Sequence, residues 1–156
     1  MNTKRSLGSD ESVAFPRWRP RTAETGANLS AANAREKWRA ALRERLAPLT
    51  SLEEGWDAYS AGGVKTQTVI FAAQVLDDIW ATGLPVPDVM PTSTESVYVE
   101  WSTARFDFSI EIKAPYVGSF YFEDAATGKI HEGEFRDNLV ELENLSRQAV
   151  AAGLAG

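Results

Sequence analysis

Between Glu95 and Glu134 apolar and polar residues alternate through several short consecutive segments, and no other feature of the chain restricts its fold as much. Val97, Val99 and Trp101 alternate with Tyr98 and Glu100; Phe106, Phe108, Ile110 and Ile112 alternate with Asp107, Ser109, Glu111 and Lys113. Successive side chains of a strand point to opposite faces, so each segment reads as a strand that is apolar on one face only. A tight turn within residues 102–105 joins the two. Only an even-length loop keeps both apolar sets on one side, and a two- or four-residue loop predicts Trp101 opposite Phe106, Val99 opposite Phe108 and Val97 opposite Ile110. On the other face this register sets Glu100 against Asp107 and Tyr98 against Ser109. A third strand at about 117–123 turns Phe120 and Phe122 inward, pairing Ile110 with Phe120 and Phe108 with Phe122, so that Asp107 faces Glu123.

The expected polar face therefore carries a row of carboxylates, Glu100, Asp107 and Glu123, beside Tyr98, Ser109 and Tyr121, with Glu111 opposite Ser119 beyond. Like charges directly opposite each other on a sheet are destabilising by up to ~1 kcal/mol per pair. Compensation is expected from solvent and salt, from a bound cation, or from a basic partner. A fourth strand follows residues 124–129, where Gly128 supplies the positive φ that closes a hairpin. Its register stays open. Either Lys129 and His131, the only histidine, lie on the polar face beside Glu123 and Tyr121, or one more loop residue turns His131 inward.

Three helices accompany the strands. Ser30 suits the N-cap of a helix reaching about Leu46, with Ala34, Trp38, Ala41, Leu42, Arg45 and Leu49 near one stripe and Pro48 as its stop. Its basic side, with Arg35, Lys37, Arg39 and Arg43, is a solvated face, a nucleic-acid contact, or a surface packed on the acidic sheet. A second helix at about 66–82 has Val69, Ala72, Ala73, Leu76, Ile79 and Trp80 at helical spacing and Gly83 at its end. A third covers about 136–152. The connector 84–92 holds Pro85, Pro87 and Pro91, which forbid a helix and suit a short edge strand. The fold class is thus α+β, an antiparallel sheet of about four strands with two or three helices on its apolar face.

The net charge of −6 is unevenly divided: residues 1–49 hold ten Lys/Arg and five Asp/Glu, the rest six and seventeen. Such asymmetry bears on partners rather than on fold. Residues 1–29 lack apolar periodicity and read as a mobile basic arm ahead of a single domain at 30–156. Within the arm, Arg17, Trp18, Arg19 and Arg21 follow Phe15, a mixture of aromatics and arginines that suits stacking on bases and contacting phosphates, and equally a solvated tail. The chain has no cysteine, no apolar run long enough to span a membrane, and no signal-peptide core at its N-terminus. The expectation is a cytoplasmic protein with no membrane association and no cofactor.

Between the first two helices, the aromatic and glycine-rich segment 52–63 places Trp56 at the core edge and Asp57 at a turn it caps with its own carboxylate. The alternative makes Asp57 a general base or metal ligand beside Tyr59. Trp56-Asp57 with Ala61, then Pro87-x-Val89-x-Pro91-Thr92, Val97-x-Val99-Glu100-Trp101 and Phe120-Tyr121-Phe122-x-Asp124, resembles an uncharacterised group of small bacterial proteins. The resemblance spans about residues 46–133 and implies a recurring α+β domain that includes Asp57 and Glu100. It carries no activity, and the group often has glycine near the positions of Ala58 and Tyr59.

No Gly-rich phosphate loop, Gly-x-Ser-x-Gly elbow or His-Glu-x-x-His helix is present, which counts against common enzyme classes. The leading expectation is a non-enzymatic module, an inhibitor, antitoxin-like neutraliser or adaptor, that docks a basic protein through Tyr98, Glu100, Asp107, Glu111, Tyr121 and Glu123. The alternatives are a metal-dependent hydrolase using the sheet carboxylates, and a nucleic-acid accessory protein acting through the basic arm and first helix.

Overall fold

The structure is a computed structural model that describes residues 22–58 and 61–154, with side chains from residue 29 onward. The chain divides into two units, Met1–Asn33 and Ala34–Gly156. Of the first, residues 22–33 form the start of helix α1, Thr22–Leu46. The helix begins well before Ser30, which lies inside it rather than capping it. Pro20 is the nearest upstream residue that forbids a helix, and nothing between it and Ser30 does so. The expected arm at 1–29 is accordingly helical from Thr22, and its residues 1–21, including Arg17, Trp18, Arg19 and Arg21, lie outside the described residues.

In the second unit α1 ends in a 3-10 turn, Ala47–Ser51, and is followed by α2, Thr66–Ile79, five strands, and α3, Val140–Leu154. The strands are β1 Asp88–Pro91, β2 Val97–Ser102, β3 Phe106–Ala114, β4 Val117–Asp124 and β5 Ile130–Phe135, all antiparallel and ordered in space as in sequence. The count is five rather than about four because the proline-rich connector does pair, as β1. Proline is tolerated there because an edge strand leaves alternate N–H positions unused.

The β2–β3 register differs from the expected one by two residues: Trp101 faces Phe108, Val99 faces Ile110 and Val97 faces Ile112. Thr103 is the cause. Its N–H and hydroxyl both donate to the Phe106 carbonyl at 3.0 Å, and its Oγ1 accepts from the Arg105 and Phe106 N–H groups at 3.1 and 3.0 Å. These bonds confine the reversal to Ala104-Arg105, so the strands run further before turning. The loop is still even, and the apolar sets still share a face. The β3–β4 register is the expected one, with Phe108 opposite Phe122 and Ile110 opposite Phe120. At the next turn Asp124 Oδ1 accepts from Ala126 and Thr127 N–H, and Gly128 adopts φ 70°. Phe122 then faces His131, which turns the histidine to the apolar side, its ring 6.3 Å from that of Phe122.

Helical residues of this unit fill the apolar side. Trp38, Leu42 and Leu46 of α1, Phe71, Val75, Leu76 and Ile79 of α2, and Leu142, Leu145 and Ala149 of α3 are buried in one cluster with the inward residues of β2–β4. Burial of each large side chain is worth ~1.5–3 kcal/mol, so this cluster is the main source of stability. The buried stripe of α1 is thus Trp38, Leu42 and Leu46; Ala34 and Arg45, expected on it, are exposed. Two indoles, Trp38 and Trp101, donate to the same carbonyl, that of Pro85, at 3.1 and 2.6 Å, joining α1, the connector and β2. Asp77 of α2 accepts from Arg39 Nε and Nη2 at 2.7 and 3.0 Å and from Arg35 Nε at 3.2 Å, while Arg35 also lies over the Trp80 ring. Half of the basic side of α1 is therefore engaged with α2, and residues 34–46 of the helix pack with the apolar face of the sheet through Trp38, Leu42 and Leu46.

These contacts give two expected outcomes. A Cβ on Gly118 would lie 2.3 Å from Phe135 Cζ and 2.9 Å from the Glu111 carbonyl oxygen. Gly118→Ala should therefore cost at least ~1–3 kcal/mol in urea unfolding, as overpacking does. The Arg39 hydrogen bond, followed by Arg35, holds the Asp77 carboxyl below its ordinary value of 3.8. A carboxyl lowered in the folded state adds stability above its unfolded value and loses it as pH falls through the folded one. Urea midpoints measured from pH 5 downward should decline less steeply in Asp77→Asn than in wild type.

Candidate functional site

The second face of the sheet is built by the residues that alternate with the core. Across it Ser102, Asp107, Glu123 and Ile130 form one cross-strand row. Asp88, Glu100, Ser109, Tyr121 and Glu132 form the next, and Met90, Tyr98, Glu111, Ser119 and Glu134 the third. Asp88, Glu100, Asp107, Glu111, Glu123, Glu132 and Glu134 thus put seven carboxylates on one face, and the three rows contain no lysine or arginine. All members of the rows are half-buried or exposed, whereas the alternating residues of β2–β4 are buried.

Of the six residues expected to bind a partner, all lie on this face, but their neighbours differ. Asp107 stands beside Glu123 and Glu111 beside Ser119 as expected. Glu100 faces Ser109 instead of Asp107, and Tyr98 faces Glu111 instead of Ser109, because Thr103 moves the turn. The expected row of three carboxylates is thereby reduced to the pair Asp107–Glu123, while Glu100 forms a second like-charged pair with Asp88 of β1. Hydroxyls supply part of the compensation: Ser102 Oγ donates to Asp107 Oδ1 at 2.6 Å, Tyr121 OH to Glu123 Oε1 at 2.9 Å, and Ser96 Oγ to Glu111 Oε2 at 2.6 Å. Bonds from neutral donors to ionised acceptors are stronger than neutral pairs, and they hold these carboxylates in fixed directions across the face.

Asp88, Met90, Glu132 and Glu134 belong to the same face and were not singled out in the sequence. For Glu132 and Glu134 the signal is the alternation within Ile130-His131-Glu132-Gly133-Glu134-Phe135. Asp88 and Met90 become visible only once β1 is known to pair with β2.

Among the described residues no three or more Asp, Glu or His side chains converge as a metal ion would require. Pleat geometry accounts for this: neighbouring carboxylates on a sheet stand nearly parallel, whereas a coordination shell needs them to point at one centre. Asp57 Oδ1 accepts from the Ala61 N–H at 3.3 Å, and Trp56 Nε1 donates to the Gly62 carbonyl at 2.9 Å. Gly55 N–H to Ala61 O at 2.8 Å closes the same loop. Both side chains therefore serve the loop's own geometry. Ala58 in that loop has φ 69°, a conformation that favours glycine. Tyr59 lies outside the described residues. The described helices include none long and apolar enough to cross a membrane.

The Tyr121 phenol is shifted above its ordinary value of 10.0, first by its hydrogen bond to Glu123, then by desolvation and by the charges of Glu123, Glu132 and Asp107. A raised acid contributes stability below its unfolded value, and this is lost as pH rises through the folded one. In an absorbance titration at alkaline pH, the transition missing from Tyr121→Phe should lie above that of free tyrosine. Glu123→Gln should move it back towards the free value.

Comparison of the chain with protein-family models, with curated protein sequences and with solved structures finds no match.

Proposed function

We propose that this protein is a non-enzymatic interaction module, acting as an inhibitor, antitoxin-like neutraliser or adaptor, whose open sheet face docks a basic surface of another protein. The observation that carries the reading is the composition of that face: seven carboxylates with no cation among its three rows, on a sheet whose other side is already buried. A field of one sign speeds encounter with an oppositely charged partner and selects against like-charged ones. Tyr98 and Tyr121, half-buried near the middle of the face, and Met90, 40% exposed at one side, supply the apolar contact area that interface anchors need.

The face sets its groups side by side along the strands, which favours docking over catalysis, since active sites converge their groups in a concavity. Parallel carboxylates argue against the metal-dependent hydrolase for the same reason. A role in nucleic-acid binding would rest on Arg17, Trp18, Arg19 and Arg21, outside the described residues, and on the exposed Lys37 and Arg43 of α1, because Arg35 and Arg39 are engaged by Asp77 and the sheet repels phosphate.

The test is affinity capture from the source organism's lysate with wild type, Glu100→Lys/Asp107→Lys, and Glu54→Lys as a control in an exposed loop, each checked for folding by circular dichroism. A basic protein retained by wild type and by the control, released by raised salt and weakened at least about tenfold by the double reversal, is the expected result. The same captured set on the double variant would refute the reading.

A further inference from the structure

The two edges of the sheet are finished differently. At β1, Thr92 N–H bonds to Ser96 O at 3.0 Å, so by the alternation of an antiparallel ladder Met90 and Asp88 also face β2, and Pro87, Val89 and Pro91 direct their backbone groups away. Pro87 and Pro91 have no N–H, and the Pro87 carbonyl accepts a hydrogen bond from Arg45, which also pairs with Asp88 at 3.7 Å. That edge retains a single outward N–H, on Val89. Proline and a covering charged side chain are the means by which edges are closed to strand addition.

The β5 edge has no such closure. Asp124 N–H bonds to Lys129 O at 3.0 Å, so the pairs Phe122–His131, Phe120–Gly133 and Gly118–Phe135 are the hydrogen-bonded ones. Ile130, Glu132 and Glu134 therefore direct both N–H and C=O outward, and among the described residues nothing bonds to them. Beside this edge, between β5 and α3, a cavity of about 590 Å³ is lined in part by His131, Phe135, Asn138, Val140, Asn144 and Gln148. Four carboxylates, Glu132, Glu134, Asp137 and Glu141, surround edge and cavity against two cations, Arg136 and the Lys113 that stands beside Glu134 and Phe135 at the end of the edge.

We propose that the β5 edge binds an extended segment of a basic protein as an added strand, an inference that rests on the docking role of the acidic face and extends it around its border. Residues of the added strand opposite Glu132 and Glu134 would point to the open face, where lysine or arginine meets carboxylates. The intervening residues, opposite His131, Gly133 and Phe135, would point over the cavity, with the Phe120 ring packed over Gly133 between them. Charge selects this occupant over a second copy. Antiparallel self-pairing must join outward residues to outward residues, and the two registers with the greatest overlap, centred on Glu132 or on Gly133, set Glu132 against Glu132 or against Glu134.

The probe is a capped peptide of alternating lysine and valine, titrated into the full-length chain and followed by amide chemical shifts. A second peptide with the lysine amides N-methylated keeps its charge but loses the donors that strand addition needs. Glu132→Pro removes an N–H that takes no part in the β4–β5 ladder, at an outward-facing edge-strand position of the kind where proline occurs. The proposal expects shifts concentrated on residues 130–135 and binding weakened at least about tenfold in both cases: by N-methylation through the loss of two or three hydrogen bonds, and by Glu132→Pro through the loss of one hydrogen bond together with the Glu132 carboxylate. N-methylation tests the ligand alone, so its result stands whether or not the proline variant folds. Equal binding of both peptides, abolished by Glu100→Lys/Asp107→Lys, would overturn strand addition while leaving the docking face intact. No binding of the unmethylated peptide would also overturn it, and the capture experiment would then decide separately whether the docking face survives. Concentration-dependent sedimentation of the protein alone, removed by Glu132→Pro, would assign the edge to a second copy and likewise overturn the proposal.

Discussion

Val97, Val99, Trp101, Phe108, Ile110, Ile112 and Phe122 occupy one face of three adjoining strands and are almost wholly removed from water, and the remaining elements of this unit take their places from that requirement. Alternation puts them on the same side, but a single sheet cannot bury its own face. The amphipathic stripes of α1, α2 and α3 provide the second layer. Aromatic packing adds direction to the burial: Trp101 stacks on Phe108 at 4.9 Å, and Phe108 meets Phe122 edge-on at 5.6 Å. Polar contacts then select the arrangement of the layers, with the Pro85 carbonyl bridging two indoles and Asp77 drawing α1 onto α2 through two arginines. Neither contact supplies the bulk of the stability. Each joins elements whose apolar packing alone would allow several alignments.

The opposite face inherits what this arrangement leaves. With the helices committed to one side, every alternate strand residue meets solvent, and here those positions are dominated by carboxylates. Such a face is tolerable because its charges are partly exposed, because several accept hydroxyl hydrogen bonds, and because the Thr103 turn separates Glu100 from Asp107. It remains a surface on which carboxylates outnumber cations, beside an edge that is not closed. The carboxylate-rich face and the open β5 edge are consequences of one geometry, since the residues whose side chains lie on that face at β5, Glu132 and Glu134, are also those whose backbone groups point away from β4.

Much of this was legible in the residues, and the errors have definite causes. Period-two alternation placed β2, β3 and β4, and parity assigned all six expected docking residues to one face. Parity does not count residues along the strand, however. The two-residue displacement of β2 against β3 came from a threonine whose side chain builds the turn, which the pattern of apolar residues does not encode. For β5 both settings of His131 had equal support in the sequence, and the turn at Asp124 and Gly128 selected the inward one. The prolines of 84–92 suit a short edge strand, and β1 is that strand, although the count of about four strands leaves it out.

By itself the sequence determined the α+β class, the antiparallel pairing of its central strands, the sidedness of nearly every residue in them, and the excess of negative charge on the polar side. These follow from local periodicity and composition, which need no knowledge of neighbours. Only the tertiary structure decided which carboxylates stand together, which arginines are already engaged, and which edge of the sheet remains open. Those depend on turn hydrogen bonds and on contacts such as Arg45 with Pro87 and Arg39 with Asp77, between residues about forty positions apart, where no short-range pattern in the chain carries the information.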